Sequence, residues 1–316
     1  LKASPGHAGA YNNLGVLLLD TKRHELAETA LRQALQHLPN FAEAHNNLGL
    51  VLMQTKRAEE AELEFHASIE LNPDDPNAQM NLGVLMKEAG RYADAEAAFR
   101  EALKLAPDCG NAAGEAYFCA RYLCDWTRSN EDEIRLIDLV ERGIPDISPF
   151  VFLTFDNPLL ADMPALQKKA AELYARDSYQ LPRKDSVIGS SRLADGRRLR
   201  IGYLSADFHH HPTMHLLRGV LKAHDRSRFA VHAYSYGSVD DYMTAQARTA
   251  CEVFRDISKL SDLDAANAIA ADGIDILIDL KGFTFDTRLE ISALRPAPVI
   301  VSWLGYPGTL GHPQLA

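Results

Sequence analysis

The sequence predicts an α plus α/β chain: a stack of paired helices followed by a lobe built on a parallel β-sheet. Two observations predict it. Residues 8–109 repeat with a period of 34, and from Arg197 onward apolar strands alternate with amphipathic helices. The 316 residues leave room for two or three domains, and 47% hydrophobic with 24% charged residues suits a packed globular chain. A net charge of −10 argues against a nucleic-acid binder, which needs clustered Lys and Arg against phosphate. No apolar run approaches the ~20 residues that a membrane span needs. Cys109, Cys119, Cys124 and Cys251 show no C-x-x-C spacing, so a reducing, cytoplasmic setting is expected.

The repeats come first. Asn13, Asn47 and Asn81 share the 34-residue offset, as do Gly15, Gly49 and Gly83. So do Ala27, Ala61 and Ala95; Leu31, Phe65 and Phe99; and Pro39, Pro73 and Pro107. Small residues let two antiparallel helices approach, the large residue fills the space between them, and proline stops the second helix. This is the tetratricopeptide pattern, in repeats of about 8–41, 42–75 and 76–109. Such units stack into a superhelix with a concave face. The asparagines either tie turns together or form a ladder that holds an extended peptide, since an amide both donates to and accepts from a backbone. The chain opens at Leu1 inside what reads as a flanking repeat.

After Pro107 the period stops. Residues 111–196 read as a capping and connecting region, with helices over 111–125, 131–142 and 163–176. Tyr117, Ala120, Leu123 and Cys124 form the inward stripe of the first, and Ile134, Leu136, Leu139 and Val140 that of the second. Trp126 reads as a packing residue, the aromatic run 148–155 as burying the joint between the two halves, and the stretch through Asp185, Gly189, Ser190, Ser191 and Gly196 as linker.

Residues 197–316 form the α/β lobe. Strands are expected at 199–205, 229–236, 253–256, 274–280 and 299–303, with helices at 214–224, 242–250, 262–271 and 289–294. That alternation predicts a parallel, Rossmann-like sheet covered on both faces, whose ligands bind beyond the carboxyl ends of the strands. Three loops lie there: 206–213, 279–284 and 304–311. The first holds Asp207, His209, His210 and His211, with His215 one turn later, and Pro212 suits the start of a helix that favours an anion. A metal site is the weaker reading of His211 and His215, because no H-E-x-x-H glutamate accompanies them. The third loop has three glycines, Gly305, Gly308 and Gly311, in a pattern that is neither a dinucleotide fingerprint nor a phosphate-binding Walker motif.

Taken together, Arg200-Ile-Gly-Tyr-Leu-Ser-Ala-Asp-Phe208, His211-Pro-Thr213, Asp272-Gly-Ile274, Ala293-Leu-Arg-Pro-Ala-Pro298 and Trp303-Leu-Gly-Tyr-Pro-Gly-Thr309 resemble the protein O-GlcNAc transferase family. Cys124-Asp-Trp126 resembles it too, and three complete repeats fit a bacterial homologue. The resemblance implies a GT-B glycosyltransferase whose second lobe lies outside this chain. It implies inverting transfer of GlcNAc from UDP-GlcNAc to Ser or Thr hydroxyls of proteins held by the repeats, without a metal or other cofactor. By motif, His211 corresponds to an active-site histidine with Asp207 as the rival base. Pro212, Thr213, His215, Leu304, Gly305, Pro307 and Gly308 would line the sugar and acceptor pocket, with Asn13, Asn47 and Asn81 on the peptide.

Two departures stand out. The animal members carry a second active-site histidine that aligns near Ser148–Phe150, where this chain has none. The loop after the fourth strand reads Asp279-Leu-Lys-Gly282 where asparagines are expected. The competing readings are a non-catalytic tetratricopeptide scaffold with a degenerate sugar-nucleotide lobe, and the same fold using another nucleotide sugar such as GDP-fucose.

Overall fold

The structure is a computed structural model that describes residues 7–156, 162–179, 196–284 and 286–311. The expected linker residues Asp185, Gly189, Ser190 and Ser191 lie outside them. The chain divides into two compact units, residues 1–144 and 145–316. The region read as a connector has no unit of its own, its first two helices falling in the first unit and the rest in the second.

Among the described residues the first unit is four helix pairs: α1 (Ala8–Asp20) with α2 (His24–His37), α3 (Ala42–Gln54) with α4 (Ala58–Leu71), α5 (Pro76–Glu88) with α6 (Tyr92–Leu105), and α7 (Gly110–Tyr122) with α8 (Ser129–Glu141). Helices α2, α4 and α6 each end two residues before the repeat's proline, which has no N–H to continue the ladder. Within each of the first three pairs a glycine meets the large buried residue of the second helix. A Cβ on Gly15 would lie 2.5 Å from Leu31, one on Gly49 2.5 Å from Phe65, and one on Gly83 2.6 Å from Phe99. The glycines therefore set the distance between the paired helices. The first helices of successive repeats (α1 and α3, α3 and α5) also touch, which puts them on the inner side of the stack.

In the fourth pair, Tyr117 is fully buried and its hydroxyl donates to Glu133 Oε1 (2.8 Å), itself buried. Ala120, Leu136, Leu139 and Val140 are inward as expected. Leu123, Cys124 and Ile134 are not: Leu123 caps the helix, Cys124 sits beyond it at φ +57°, and Ile134 is half exposed. Residues 133, 136 and 140 share the inward face, and Ile134 lies about 100° round the helix from Glu133. Trp126 is exposed rather than packed inside, with the Arg121 guanidinium 4.1 Å from its ring.

The second unit opens with a 3₁₀ turn (Pro149–Thr154) and α9 (Met163–Ser178). Its sheet contains β1 (Leu199–Ser205), β2 (Phe229–Ser235), β3 (Val253–Asp256), β4 (Ile276–Asp279) and β5 (Val299–Ser302), all parallel, in the order β3-β2-β1-β4-β5. The period of two in β1 sends Ile201 and Tyr203 to one face, where Met214, Leu217 and Leu221 of α10 (Pro212–Ala223) and Met243 and Ala247 of α11 (Tyr242–Ala250) cover them. Leu204 faces the other side, where α12 (Asp262–Ala271) supplies Ala265, Ala266 and Ile269, and α13 (Leu289–Ala293) supplies Ile291. A third cluster joins α9 to the loops after β4 and β5 through Ala171, Ala175, Phe283, Tyr306 and Leu310, with Phe150 and Leu153 against it. Phe150 and Leu153 of the aromatic run thus pack within the second unit. Among the described residues no helix is long and apolar enough to cross a membrane.

Gly49→Ala tests the spacing rule. The new methyl gains about 1 kcal/mol of helix propensity, yet it collides with a fully buried ring, and overpacking costs about 1–3 kcal/mol. The expected result is a lower urea midpoint for the repeat unit, partly restored in Gly49→Ala/Phe65→Leu.

Candidate active site

The strand order places the site. From β1 the chain runs outward through β2 and β3, then returns to lay β4 on the other side of β1. The order reverses between β1 and β4, and the loops beyond their carboxyl ends flank a crevice there. The β1 loop supplies Asp207 and His211, the β4 loop Lys281, and the β5 loop lies next along.

His211 is the N-cap of α10, with Pro212 as its first residue. Its Nδ1 accepts the Thr213 N–H at 3.2 Å, satisfying one of the unpaired donors of the helix start. A neutral ring held that way carries its proton on Nε2. Asp207 Oδ2 lies 3.5 Å from the same Nδ1, close enough to receive Nδ1–H in the other tautomer. The imidazole is 38% exposed. Partial burial holds its pKa below the ordinary 6.5, helped by the charges of Lys281 and His209 and opposed by Asp207. At neutral pH the ring is uncharged.

Asp207 is almost fully buried, and so is the residue that meets it. Lys281 Nζ donates to Asp207 Oδ1 at 3.1 Å and to Oδ2 at 2.9 Å. Asp279 shapes the turn that delivers Lys281: its Oδ1 accepts the N–H of Lys281 (2.8 Å) and of Gly282 (3.2 Å), and its Oδ2 accepts the Ser292 hydroxyl. Burial pushes the Asp279 pKa up, against those hydrogen bonds. The β1 loop is held from outside by Asp241, whose carboxylate accepts the His210 N–H at 2.7 Å while capping α11.

The other expected residues fall into distinct places. Thr213 is buried, with its N–H on the His211 ring. Exposed His215 turns its ring edge-on to His210 (4.9 Å between centroids), one helical turn away from His211. In the β5 loop Leu304 adopts φ +80°, a conformation costly for a residue with a Cβ, and its side chain packs with the cluster that holds Leu280 and Met214. Gly305 runs against the β4 loop so tightly that a Cβ would lie 1.8 Å from the Leu280 carbonyl oxygen. Gly308 lies over the Tyr306 ring, and Pro307 is exposed.

In the repeat unit Asn13 is exposed, while Asn47 and Asn81 are half-buried. Asn47 donates to Asn12 Oδ1 and Asn81 to Asn46 Oδ1, each at 2.9 Å, linking neighbouring repeats. Asn12 in turn donates to Glu43. The sequence reading missed Lys281 and Asp241 as parts of the site. Lys281 was visible as the cation in Asp279-Leu-Lys-Gly282, at the end of a strand, and Asp241 as the first residue of the capping box Asp241-Tyr-Met-Thr244.

Fold and site define a tetratricopeptide-repeat protein with a Rossmann-like lobe that gathers a histidine, a carboxylate and a buried lysine at its switch point. The model for glycosyl transferase family 41 matches residues 123–315, and the chain belongs to that family. Tetratricopeptide-repeat models match residues 8–36 and 40–108. A UDP-N-acetylglucosamine–peptide N-acetylglucosaminyltransferase of Caenorhabditis elegans is 37% identical over 199 residues, 60% of this chain and 17% of that protein. A probable enzyme of the same description from Arabidopsis thaliana is 34% identical over 199 residues, 60% of this chain and 20% of that protein. Among solved structures, a mutant of the Thermobaculum terrenum O-GlcNAc transferase is 26% identical with a TM-score of 0.50, covering 96% of this chain and 51% of that one. The chain thus spans a fifth or less of these curated relatives and about half of the solved one.

Removing one partner of a buried ion pair costs about 3–5 kcal/mol, because the other charge stays behind. Asp207→Asn and Lys281→Met are therefore each expected to destabilise the second unit markedly, and the double variant less than their sum. A double-mutant cycle by urea unfolding measures the coupling.

Proposed function

We propose that this chain is the repeat region and first catalytic lobe of a protein O-GlcNAc transferase, which moves GlcNAc from UDP-GlcNAc to Ser or Thr hydroxyls. The observation that carries the reading is His211, neutral and half-exposed at the head of α10, over the switch-point crevice of a family 41 lobe. The names of the relatives support the donor and the protein acceptor. The acceptor oxygen attacks the anomeric carbon as the bond from that carbon to the phosphate oxygen breaks. UDP departs with the bonding electron pair, and the hydroxyl proton passes to a base.

His211 is the group proposed to meet the reacting hydroxyl, in the neutral form that burial favours. Asp207 is the less accessible proton acceptor, since it is buried and Lys281 donates to both its oxygens. Thr213 and Pro212 hold the ring at the crevice, and Leu304, Gly305, Pro307 and Gly308 shape the wall near sugar and acceptor. His215, turned to His210, is left with an outer contact at most. The uridine and diphosphate contacts belong to a second lobe, and no metal is assigned to the reaction. In the repeats, Asn13, Asn47 and Asn81 form the row for an extended acceptor peptide, each with hydrogen-bonding groups beyond those spent between repeats.

UDP release and GlcNAc incorporation into extract proteins by the full-length protein test the site. His211→Ala is expected to lose about 100-fold or more in kcat, and turnover equal to wild type would move catalysis elsewhere. The pH profile carries a second check. A base with a lowered pKa is fully available above its midpoint and lost as pH falls through it, so the acidic limb of kcat/KM is expected below pH 6.5. For the groove, Asn13→Ala/Asn47→Ala/Asn81→Ala is expected to weaken acceptor-peptide binding about 10-fold or more. Asn12→Ala/Asn46→Ala, which breaks only the ties between repeats, is the control, and an equal loss there would reject the ladder.

A further inference from the structure

The Nδ1 atom of His211 stands between two partners that make opposite demands. The Thr213 N–H, at 3.2 Å, needs a bare nitrogen with its lone pair. Asp207 Oδ2, at 3.5 Å, needs a nitrogen carrying a proton. The ring capped by Thr213, with its proton on Nε2, is thus the resting form; to take the acceptor proton through Nε2 the ring must leave that cap and turn its proton, on Nδ1, to Asp207. Whichever partner prevails decides whether His211 presents a donor or an acceptor to the crevice.

Lys281 enters through the same oxygen. Its Nζ lies 2.9 Å from Asp207 Oδ2, the atom that faces His211, and 3.1 Å from Oδ1. Two charge-assisted bonds from an ammonium take up much of a carboxylate's accepting capacity. Less remains to draw a proton onto Nδ1 or to stabilise an imidazolium. The ion pair is a poor source of stability, since apolar residues of similar shape commonly do as well. Its position beside His211 accounts for what stability does not.

We propose that Lys281 is a positioning residue acting through Asp207, which sets the tautomer of His211 and the pH at which that ring becomes charged. The consequence for catalysis rests on the reading of His211 as the reacting histidine; the effect on the ring does not. The groups facing the ring are Asp207 and His209 from the β1 loop and Lys281 from the β4 loop, with His209 5.7 Å away between ring centroids. The depressed His211 pKa, to which Lys281 contributes and against which Asp207 works, agrees with the geometry.

The test is a histidine nitrogen-15 NMR titration of the full-length protein without donor or acceptor, with the His211 signals assigned by their loss in His211→Asn. In wild type the neutral ring is expected to carry its proton on Nε2, and a proton found on Nδ1 overturns the proposal by itself. Lys281→Gln keeps a donor for Asp207 but removes the charge. Its His211 midpoint is expected to rise by about one pH unit, as for a histidine beside an uncompensated carboxylate, with the neutral proton moving toward Nδ1. Lys281→Arg is expected to titrate as wild type does. An unmoved midpoint in Lys281→Gln, or an equal displacement in Lys281→Arg, overturns the proposal. In an active protein the acidic limb of kcat/KM moves with the ring, whereas a merely structural lysine would lower activity without moving it. A ring that responds as expected in a protein that transfers no sugar upholds this inference and rejects the proposed activity.

Discussion

The ion pair between Lys281 and Asp207 joins the ends of two adjacent strands whose residues lie 74 positions apart in the chain. Much of the crevice depends on it. Asp279 bends the β4 loop so that the ammonium reaches the β1 loop, and Asp207 carries the effect to His211. The pairing is possible only because the strand order reverses there, which makes β1 and β4 neighbours. A lysine at the same point of an unreversed sheet would meet a different loop. Topology, charge and ring chemistry are thus three levels of one arrangement.

The repeat unit relies on a simpler constraint. Gly15, Gly49 and Gly83 admit Leu31, Phe65 and Phe99 at distances that leave no room for a methyl group. Packing is close enough there that helix propensity, which disfavours glycine, is overridden. The fourth pair departs from this plan. It closes with a buried Tyr117–Glu133 hydrogen bond, a polar contact tolerated inside because donor and acceptor are matched.

Much of the fold was legible because its signals are local. The 34-residue offset needs only counting, and α11 and α12 begin at Tyr242 and Asp262, where Asp241 and Ser261 supply caps. Helical phase was less legible: Ile134 looked inward on hydrophobicity, yet Glu133 holds that place because Tyr117 offers it a donor. Trp126 looked like a packing residue, but its ring lies outside, against Arg121. In the candidate site, His211, Pro212 and Asp207 could be placed from the loop after β1. Lys281 could not, since its partner becomes known only once β4 is seen to lie beside β1. His215, near His211 in sequence, turns its ring to His210 instead, an orientation set by the side chains around it and not by spacing.

The hydrogen bonds from Asn47 to Asn12 and from Asn81 to Asn46 tie each side chain to the repeat before it. The orientation of those amides is therefore coupled to the spacing between repeats, and flexing the superhelix re-aims them. A ligand gripping more than one would oppose that flexing, as a splint opposes bending, and its length would matter as much as its chemistry. Stiffness of the solenoid and occupancy of its inner face become a single mechanical variable.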